Sequence, residues 1–312
     1  MKKIIFALSI FVFISCNSDS PTITETGYGK LFVQSNVEKG EIFIDNEFSG
    51  KFTQDTLELF AVKYLIKVRK ENYFSEEKEV SIKKNFLKTE EFILRENNLT
   101  KNILIETFAN SFCDSCENSN LFSNILLVNP ERIFIVNYPT DYPNINDVFY
   151  FDFYESVTNR IDYYNILNFP SLIVDGIISS EFEEVIENEI NKKTNFEILV
   201  HDSLVDGNGI TADIFVDVYD LDGNDFNSLM LRNALIEKEI NTTVSDRKVH
   251  YILRKFIPNY EGISLSSITK KGRSKFAEFT LVDPRWEKEN LYVISFIQNE
   301  LTKEVMQVGV SK

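Results

Sequence analysis

Between residues 28 and 96 apolar and polar positions alternate. Lys30–Ser35 (KLFVQS) and Glu41–Asp45 (EIFID) each place every second side chain on an apolar face, the period of a half-buried strand. Leu57, Leu59, Tyr64, Ile66 and Val68 continue the pattern, and Val80, Ile82, Phe92 and Leu94 close it. Asp45-Asn46 and Ser49-Gly50 supply turn residues. A small β-sandwich is expected. Glu96–Thr100 is a polar junction, and the pattern then changes. Ile103-Leu104-Ile105 is a short apolar strand. The chain turns through Ala109-Asn110-Ser111 to Cys113-Asp114-Ser115-Cys116, and Leu121, Phe122, Ile125 and Leu126 follow at helical spacing. After a turn at Pro130-Glu131-Arg132, four consecutive apolar residues, Ile133–Val136, predict a strand covered on both faces. Pro139–Asp147 reads as a loop and the aromatic-rich run 148–164 as an inserted helix. Phe169-Pro170-Ser171 leads into a strand with a hairpin turn at Asp175-Gly176. Ser180-x-x-Glu183 is a capping box for a closing helix whose apolar face is Phe182, Val185, Ile186 and Ile190. From residue 195 onward, strands are expected at 196–200, 210–219, 228–238, 249–256, 275–282, 291–298 and 304–310. Turn signals at Asp206-Gly207, Asp222-Gly223 and Lys271-Gly272 separate several of them, as in an antiparallel β-sandwich.

A chain of 312 residues calls for two or three domains. Its first residues read as an address. Lys2 and Lys3 precede an apolar run from Ile4 to Ile14, too short to span a bilayer, which ends in Ser15-Cys16. A cysteine after a small residue at the end of such a run resembles a bacterial lipoprotein signal. The resemblance implies a signal peptide over 1–15, acylation of Cys16 and a tether over 16–27. Asn17 after the cysteine implies passage to the outer membrane, with the domains on its periplasmic face or at the cell surface. Loss of the two signal lysines takes the formal net charge from −15 to −17. So acidic a chain repels nucleic acid and anionic lipid, so membrane contact is expected through the acyl chains on Cys16.

With Cys16 set aside, two cysteines remain, Cys113 and Cys116. In an oxidising compartment they are expected as a disulfide unless a partner reduces them. The pair stands where a strand gives way to a helix, which resembles the redox centre of a thioredoxin-like domain. A helix start favours Cys113 as a thiolate nucleophile, with Cys116 resolving. Asp114 opposes this, and no Lys, Arg or His lies within the motif to offset it. Pro170 matches the proline, usually cis, that precedes the strand facing the site in such domains, which makes it a candidate for docking substrate backbone. Asp217, Asp220, Asp222, Asn224 and Asp225 cluster oxygen ligands that would suit calcium, but without EF-hand spacing. His201 and His250 are far apart, and no zinc set converges. No cofactor or metal is assigned.

Two longer resemblances organise the chain. Gly29, Leu31, Val33, Ser35, Gly40, Ile42, Ile44, Asp45, Gly50 and the later Leu57, Leu59, Tyr64, Ile66, Val68 and Tyr73 follow the order of a PEGA domain, in degenerate form. That implies a binding or spacer module. Glu106–Asn110, the cysteine pair, Tyr163-Tyr164 and Phe169–Ser171 resemble the outer-membrane lipoprotein family named for a twenty-eight-kilodalton member. So do Val249, Leu253, Arg254, Pro258 and Gly262, and Val293, Phe296, Gln298, Thr302, Lys303 and Val305. Phe112 stands where that family often has Trp, and Ala109-Asn110 replaces Thr-Gly. The expected architecture is α/β plus all-β: a PEGA-like β-sandwich over 28–96, a thioredoxin-like domain with an insertion over 101–194 and a C-terminal antiparallel β-sandwich over 195–312. The expected role is a lipid-anchored outer-membrane or cell-surface protein, mainly structural or binding. The alternative is a thiol–disulfide oxidoreductase that uses Cys113 and Cys116 on exported proteins.

Overall fold

The computed structural model describes residues 27–111, 131–142, 147–205, 208–241 and 248–311. They group into two compact units.

The first unit holds residues 27–69 and 76–94. Its strands form two sheets. In one, β1 (Tyr28–Ser35) pairs antiparallel with β4 (Asp55–Phe60) and parallel with β8 (Leu87–Phe92). In the other, β2 (Glu41–Ile44) lies between β3 (Glu47–Phe52) and β5 (Lys63–Arg69), and β5 pairs with β7 (Glu76–Ser81). Alternate residues are buried on each sheet: Leu31, Val33, Leu57 and Phe92 on the first, Ile42, Ile66, Val68 and Val80 on the second. That is the burial expected of a two-layer β-sandwich. Asp45 and Asn46 both take positive φ (50° and 70°) and make the β2–β3 turn. Ser49-Gly50, expected as a turn, instead lies inside β3. There the register against β2 shifts, and Gly50 at φ 75° makes a bulge.

The second unit holds residues 70–75 and 95–311. A short ladder joins β6 (Tyr73–Phe74) to β9 (Arg95–Glu96). The remaining strands are β10 (Ile103–Ala109), β11 (Ile133–Pro139), β12 (Ser171–Val174), β13 (Ile177–Ile178), β14 (Phe196–Val205), β15 (Gly209–Val218), β16 (Leu229–Asn241), β17 (Lys248–Ile257), β18 (Ile263–Ser264), β19 (Gly272–Leu281), β20 (Leu291–Asn299) and β21 (Val305–Val310). The two helices among the described residues are α1 (Val148–Tyr164) and α2 (Phe182–Glu189). One nine-stranded sheet runs β13-β12-β10-β11-β17-β16-β20-β21, with β18 beside β16. β10 and β11 are parallel, and β12 and β13 are antiparallel to their neighbours. A three-stranded sheet, β14-β15-β19, completes the unit.

From the sequence, a separate C-terminal sandwich is expected to begin at residue 195. In the structure, strands from either side of that position share one sheet, because Asn137 of β11 pairs with Ile252 of β17. The sandwich part is real but asymmetric. β14 and β15 pack Ile198, Val200, Ile210, Ile214 and Val216 against Leu231, Leu235, Val293 and Ile297 of the large sheet. The opposite face of that sheet carries α1, with Phe108, Tyr138, Ile236, Phe256 and Phe296 beneath Val157 and Tyr164. The β10 end is closed by α2, which sets Ile186 and Ile190 on Ile103, Ile105, Ile135 and Val174.

Two turn readings change. Asp222-Gly223 is no hairpin, because it connects β15 to β16 in a different sheet. Ser180 does not cap α2; Glu181 occupies the cap position without a side-chain bond, and Ser179 Oγ accepts from Glu181 N–H. Asp175-Gly176 is the hairpin turn expected, with φ of 48° and 84°. The Phe169–Pro170 and Ile257–Pro258 bonds are cis.

Candidate functional site

Cys16, Cys113 and Cys116 lie outside the described residues. The chain on either side of the cysteine pair is placed. β10 runs between β11 and β12, and Phe108 at its end faces Ser171, the residue after Pro170. The segment that leads to Cys113 therefore leaves the sheet beside the Phe169–Pro170 bond. Three polar contacts hold that exit. Thr107 Oγ1 donates to the Asn137 side chain. Asn110 Nδ2 donates to the Thr140 carbonyl at 2.8 Å. Ser111 N–H donates to Asp147 Oδ2 at 2.6 Å. Asp147 is also the N-cap of α1, accepting from Phe149 N–H at 2.9 Å through Oδ1. Burial raises its carboxyl above the usual range, against the lowering effect of these N–H donors.

The middle of β10 carries a carboxylate in an apolar strand. Glu106 is 1% exposed. Arg160 of α1 meets it with two parallel bonds, Nε to Oε1 at 2.7 Å and Nη2 to Oε2 at 2.8 Å. Tyr138 donates to Oε1 at 2.7 Å and Tyr164 to Oε2 at 2.5 Å. Burial alone would raise the carboxyl; the Arg160 charge and the phenol donors outweigh it and hold it below its ordinary value. Burial and the Glu106 charge push both phenols well up, so they stay protonated donors.

The network extends across the sheet. Gln298 of β20 donates to Tyr164 Oη at 2.8 Å, and Gln298 Oε1 accepts from Arg232 Nη1 of β16 at 3.2 Å. Arg232 also pairs with Glu300 at 2.7 Å, to which Tyr163 donates at 3.1 Å. Glu106, Tyr163, Tyr164 and Gln298 stand in the motifs that carry the sequence resemblance, but nothing in their spacing assigns them roles. No motif in the sequence marks Arg160 or Arg232. The signal that could have found Arg160 is that α1 has no other basic residue in its aromatic-rich sequence.

A second buried cluster sits at the β12–β13 turn. Lys101 Nζ lies 2.7 Å from Glu189 Oε2, 3.2 Å from Asp175 Oδ2 without hydrogen-bond geometry, and 3.7 Å from Glu304. Lys192 adds a 2.6 Å bond to Glu189. Three acids face two bases, and the most deeply buried acid takes the consequence: burial pushes the Asp175 carboxyl up to about 7, against Lys101 and the Leu104 N–H.

The residues considered for calcium are otherwise engaged. Asp217 makes a two-pronged pair with Arg273 at 2.8 and 2.6 Å. Asp220 accepts from the backbone and hydroxyl of Ser75, and Asp225 caps a 3-10 turn at Phe226–Ser228. Among the described residues no three His, Cys, Asp or Glu side chains gather as metal ligands. His201 and His250 lie on β14 and β17, in different sheets. No described helix is long and apolar enough to cross a membrane.

The arrangement of sheets has a solved counterpart. The chain shares its fold with HBP35 of Porphyromonas gingivalis. The likeness has a TM-score of 0.57 at 15% identity and covers 69% of this chain and 76% of HBP35. A domain of the outer membrane lipoprotein Omp28 from Porphyromonas gingivalis is similar over 38% of this chain and 88% of its own, at 19% identity and a TM-score of 0.29. A putative membrane-associated protein of unknown function from Bacteroides fragilis is similar over 87% of each chain, at 11% identity and a TM-score of 0.19. Of the three, the likeness to HBP35 alone reaches the level of a shared fold, and at 15% identity it speaks to fold and not to activity. No family model and no curated protein matches the sequence.

Proposed function

We propose that this chain is a lipid-anchored outer-membrane protein whose second unit is built on a thioredoxin-like core in a binding role, with Cys113–Cys116 as a lasting disulfide. The order of elements supports the core: parallel β10 and β11 flank the cysteine segment, then come a cis Phe169–Pro170, an antiparallel hairpin and a closing helix. The first unit, a β-sandwich with PEGA-like spacing, serves as a spacer or second binding module. The anchor is Cys16, and a Cys16→Ser chain is expected in the soluble rather than the membrane fraction.

One observation carries the staple over the shuttle. The titratable group that holds the exit toward Cys113 is an acid, Asp147, on Ser111 N–H. Asp114 adds a carboxyl within the motif's own sequence, whereas a reactive thiolate needs positive surroundings. Thiol–disulfide exchange on exported proteins remains the second reading, because Phe108 opposite Ser171 brings the exit beside Pro170. Equilibration of the chain from Pro21 onward with glutathione buffers separates the two. A reduction potential below about −300 mV is the expected result, and one above about −230 mV would assign the pair to exchange.

A further inference from the structure

A cavity of about 300 Å³ opens on the α1 face of the large sheet, where α1, β16 and the turn after β17 meet. Two arginines line it, Arg160 and Arg232, each 3% exposed. Each is bonded on two of its three nitrogens. Arg160 spends Nε and Nη2 on Glu106 and Tyr164. Arg232 spends Nε on the Tyr260 carbonyl at 3.1 Å and Nη1 on Glu300 and Gln298. Among the described residues, Arg160 Nη1 and Arg232 Nη2 donate to no protein atom. Neither atom is sealed from solvent, so water serves both in the free protein, and an acceptor brought from outside can take its place at two guanidinium groups already fixed by their other bonds.

Three cations gather on the ring of Tyr163: Arg160 Cζ at 4.7 Å, Arg232 Cζ at 5.0 Å and Lys303 Nζ at 3.6 Å from its centroid. The carboxylates bonded to them are Glu106 on Arg160 and Glu300 on Arg232. Glu261 stands exposed at the rim, in water. Three cations and three carboxylates balance, so in a chain of formal net charge −15 this pocket is locally neutral. Tyr163, Tyr260 and Met230 supply apolar wall.

We infer that the cavity is a binding site for a small organic carboxylate, its oxygens taken by the free Arg160 and Arg232 nitrogens and its body laid against Tyr163, Tyr260 and Met230. The planar guanidinium fork fits a carboxylate in a way a single ammonium does not. This names a ligand class for the binding role proposed above, yet it does not depend on the state of the cysteines.

The test is calorimetric titration of the full mature chain, pair oxidised, with sodium benzoate, using benzamide and inorganic phosphate as controls. One-to-one saturable binding of benzoate is expected, with benzamide and phosphate weaker by about tenfold or more, and an Arg232→Gln chain weaker by a similar factor. Absence of benzoate binding up to 10 mM, equal binding of benzamide or phosphate, or an unchanged affinity in Arg232→Gln would overturn the proposal. If Arg232→Gln does not fold, Met230→Glu supplies an internal carboxylate at the cavity wall and is expected to abolish benzoate binding; retention there overturns it equally. A reduction potential above about −230 mV would remove the staple reading without touching this result. Failed titration with a potential below about −300 mV would remove the pocket and leave the staple.

Discussion

Glu106 shows how one residue can bind three elements. Its carboxylate ties β10 to α1 through Arg160 and to β11 through Tyr138, inside the sheet's covered face. Removing one member of such a pair strands the other charge in the core. Glu106→Gln is therefore expected to cost about 3–5 kcal/mol, whereas Tyr138→Phe, which removes one donor, should cost about 1–2 kcal/mol. Urea midpoints of the two chains check the ranking. Asp175 gives a pH prediction. Its carboxyl is ordinary in the unfolded chain, near 3.8, and pushed up to about 7 in the folded one. Between those values the folded state binds the extra proton, so stability falls as pH rises through that window. Glu106 and Glu189 are held low, and their contribution is lost only as pH falls below about 4.5. The wild-type midpoint is thus expected to be higher at pH 5 than at pH 8, and Asp175→Asn should flatten the difference. An equal slope in the variant would assign the titration elsewhere.

At the scale of elements, the β12–β13 hairpin does more than close a sheet edge. Its turn rests on the loop between β20 and β21: Val305 N–H donates to the Asp175 carbonyl at 3.0 Å. Gly176 permits this approach, with φ 84° and a site where a Cβ would come within 1.9 Å of the Lys303 carbonyl oxygen. Gly176→Ala meets both a left-handed backbone and a backbone atom, and is expected to destabilise by more than about 1 kcal/mol. Amide exchange should show faster opening at β12 and β13 than in the parent. Gly223, at φ 77° with open space around it, offers the comparison: its alanine variant bears the backbone penalty alone.

For the molecule as a whole, the nine-stranded sheet decides what can stand alone. A chain cut after residue 194 would keep β10–β13 and α2 but expose the β11 edge that pairs with β17. It would also lose Gln307, whose Oε1 accepts from Asn102 N–H at 2.8 Å, and the C-terminal partners of Tyr164 and Lys101, Gln298 and Glu304. Such a fragment is expected to aggregate or to lack cooperative unfolding, because an unpaired strand edge and a half-covered face remain. Circular dichroism against urea checks this. A cooperative transition in the fragment would mean that residues 101–194 hold their own core.

The sequence by itself determined most of the local structure. Of seven strands predicted between 196 and 310, six appear within about three residues of their expected bounds and the first runs on from 200 to Val205; the helix at 148–164, the Asp175-Gly176 turn and the covered strand at Ile133–Val136 also appear. Periodicity and turn chemistry are short-range, and each of these elements has its reason inside a window of ten or twenty residues. Where the strands join was settled only by tertiary structure. Whether β17 pairs with β11 or closes a separate sandwich depends on residues more than a hundred positions apart, and no local pattern records it. The polar core is of the same kind. Glu106 and Arg160 are unremarkable until strand and helix bring them to 2.7 Å, and the two arginines of the cavity come from α1 and β16. Conversely, the apolar run before Cys16 and the spacing of Cys113 and Cys116 are features of the covalent chain, readable along it. What they do there is chemistry of surroundings, which folding alone supplies.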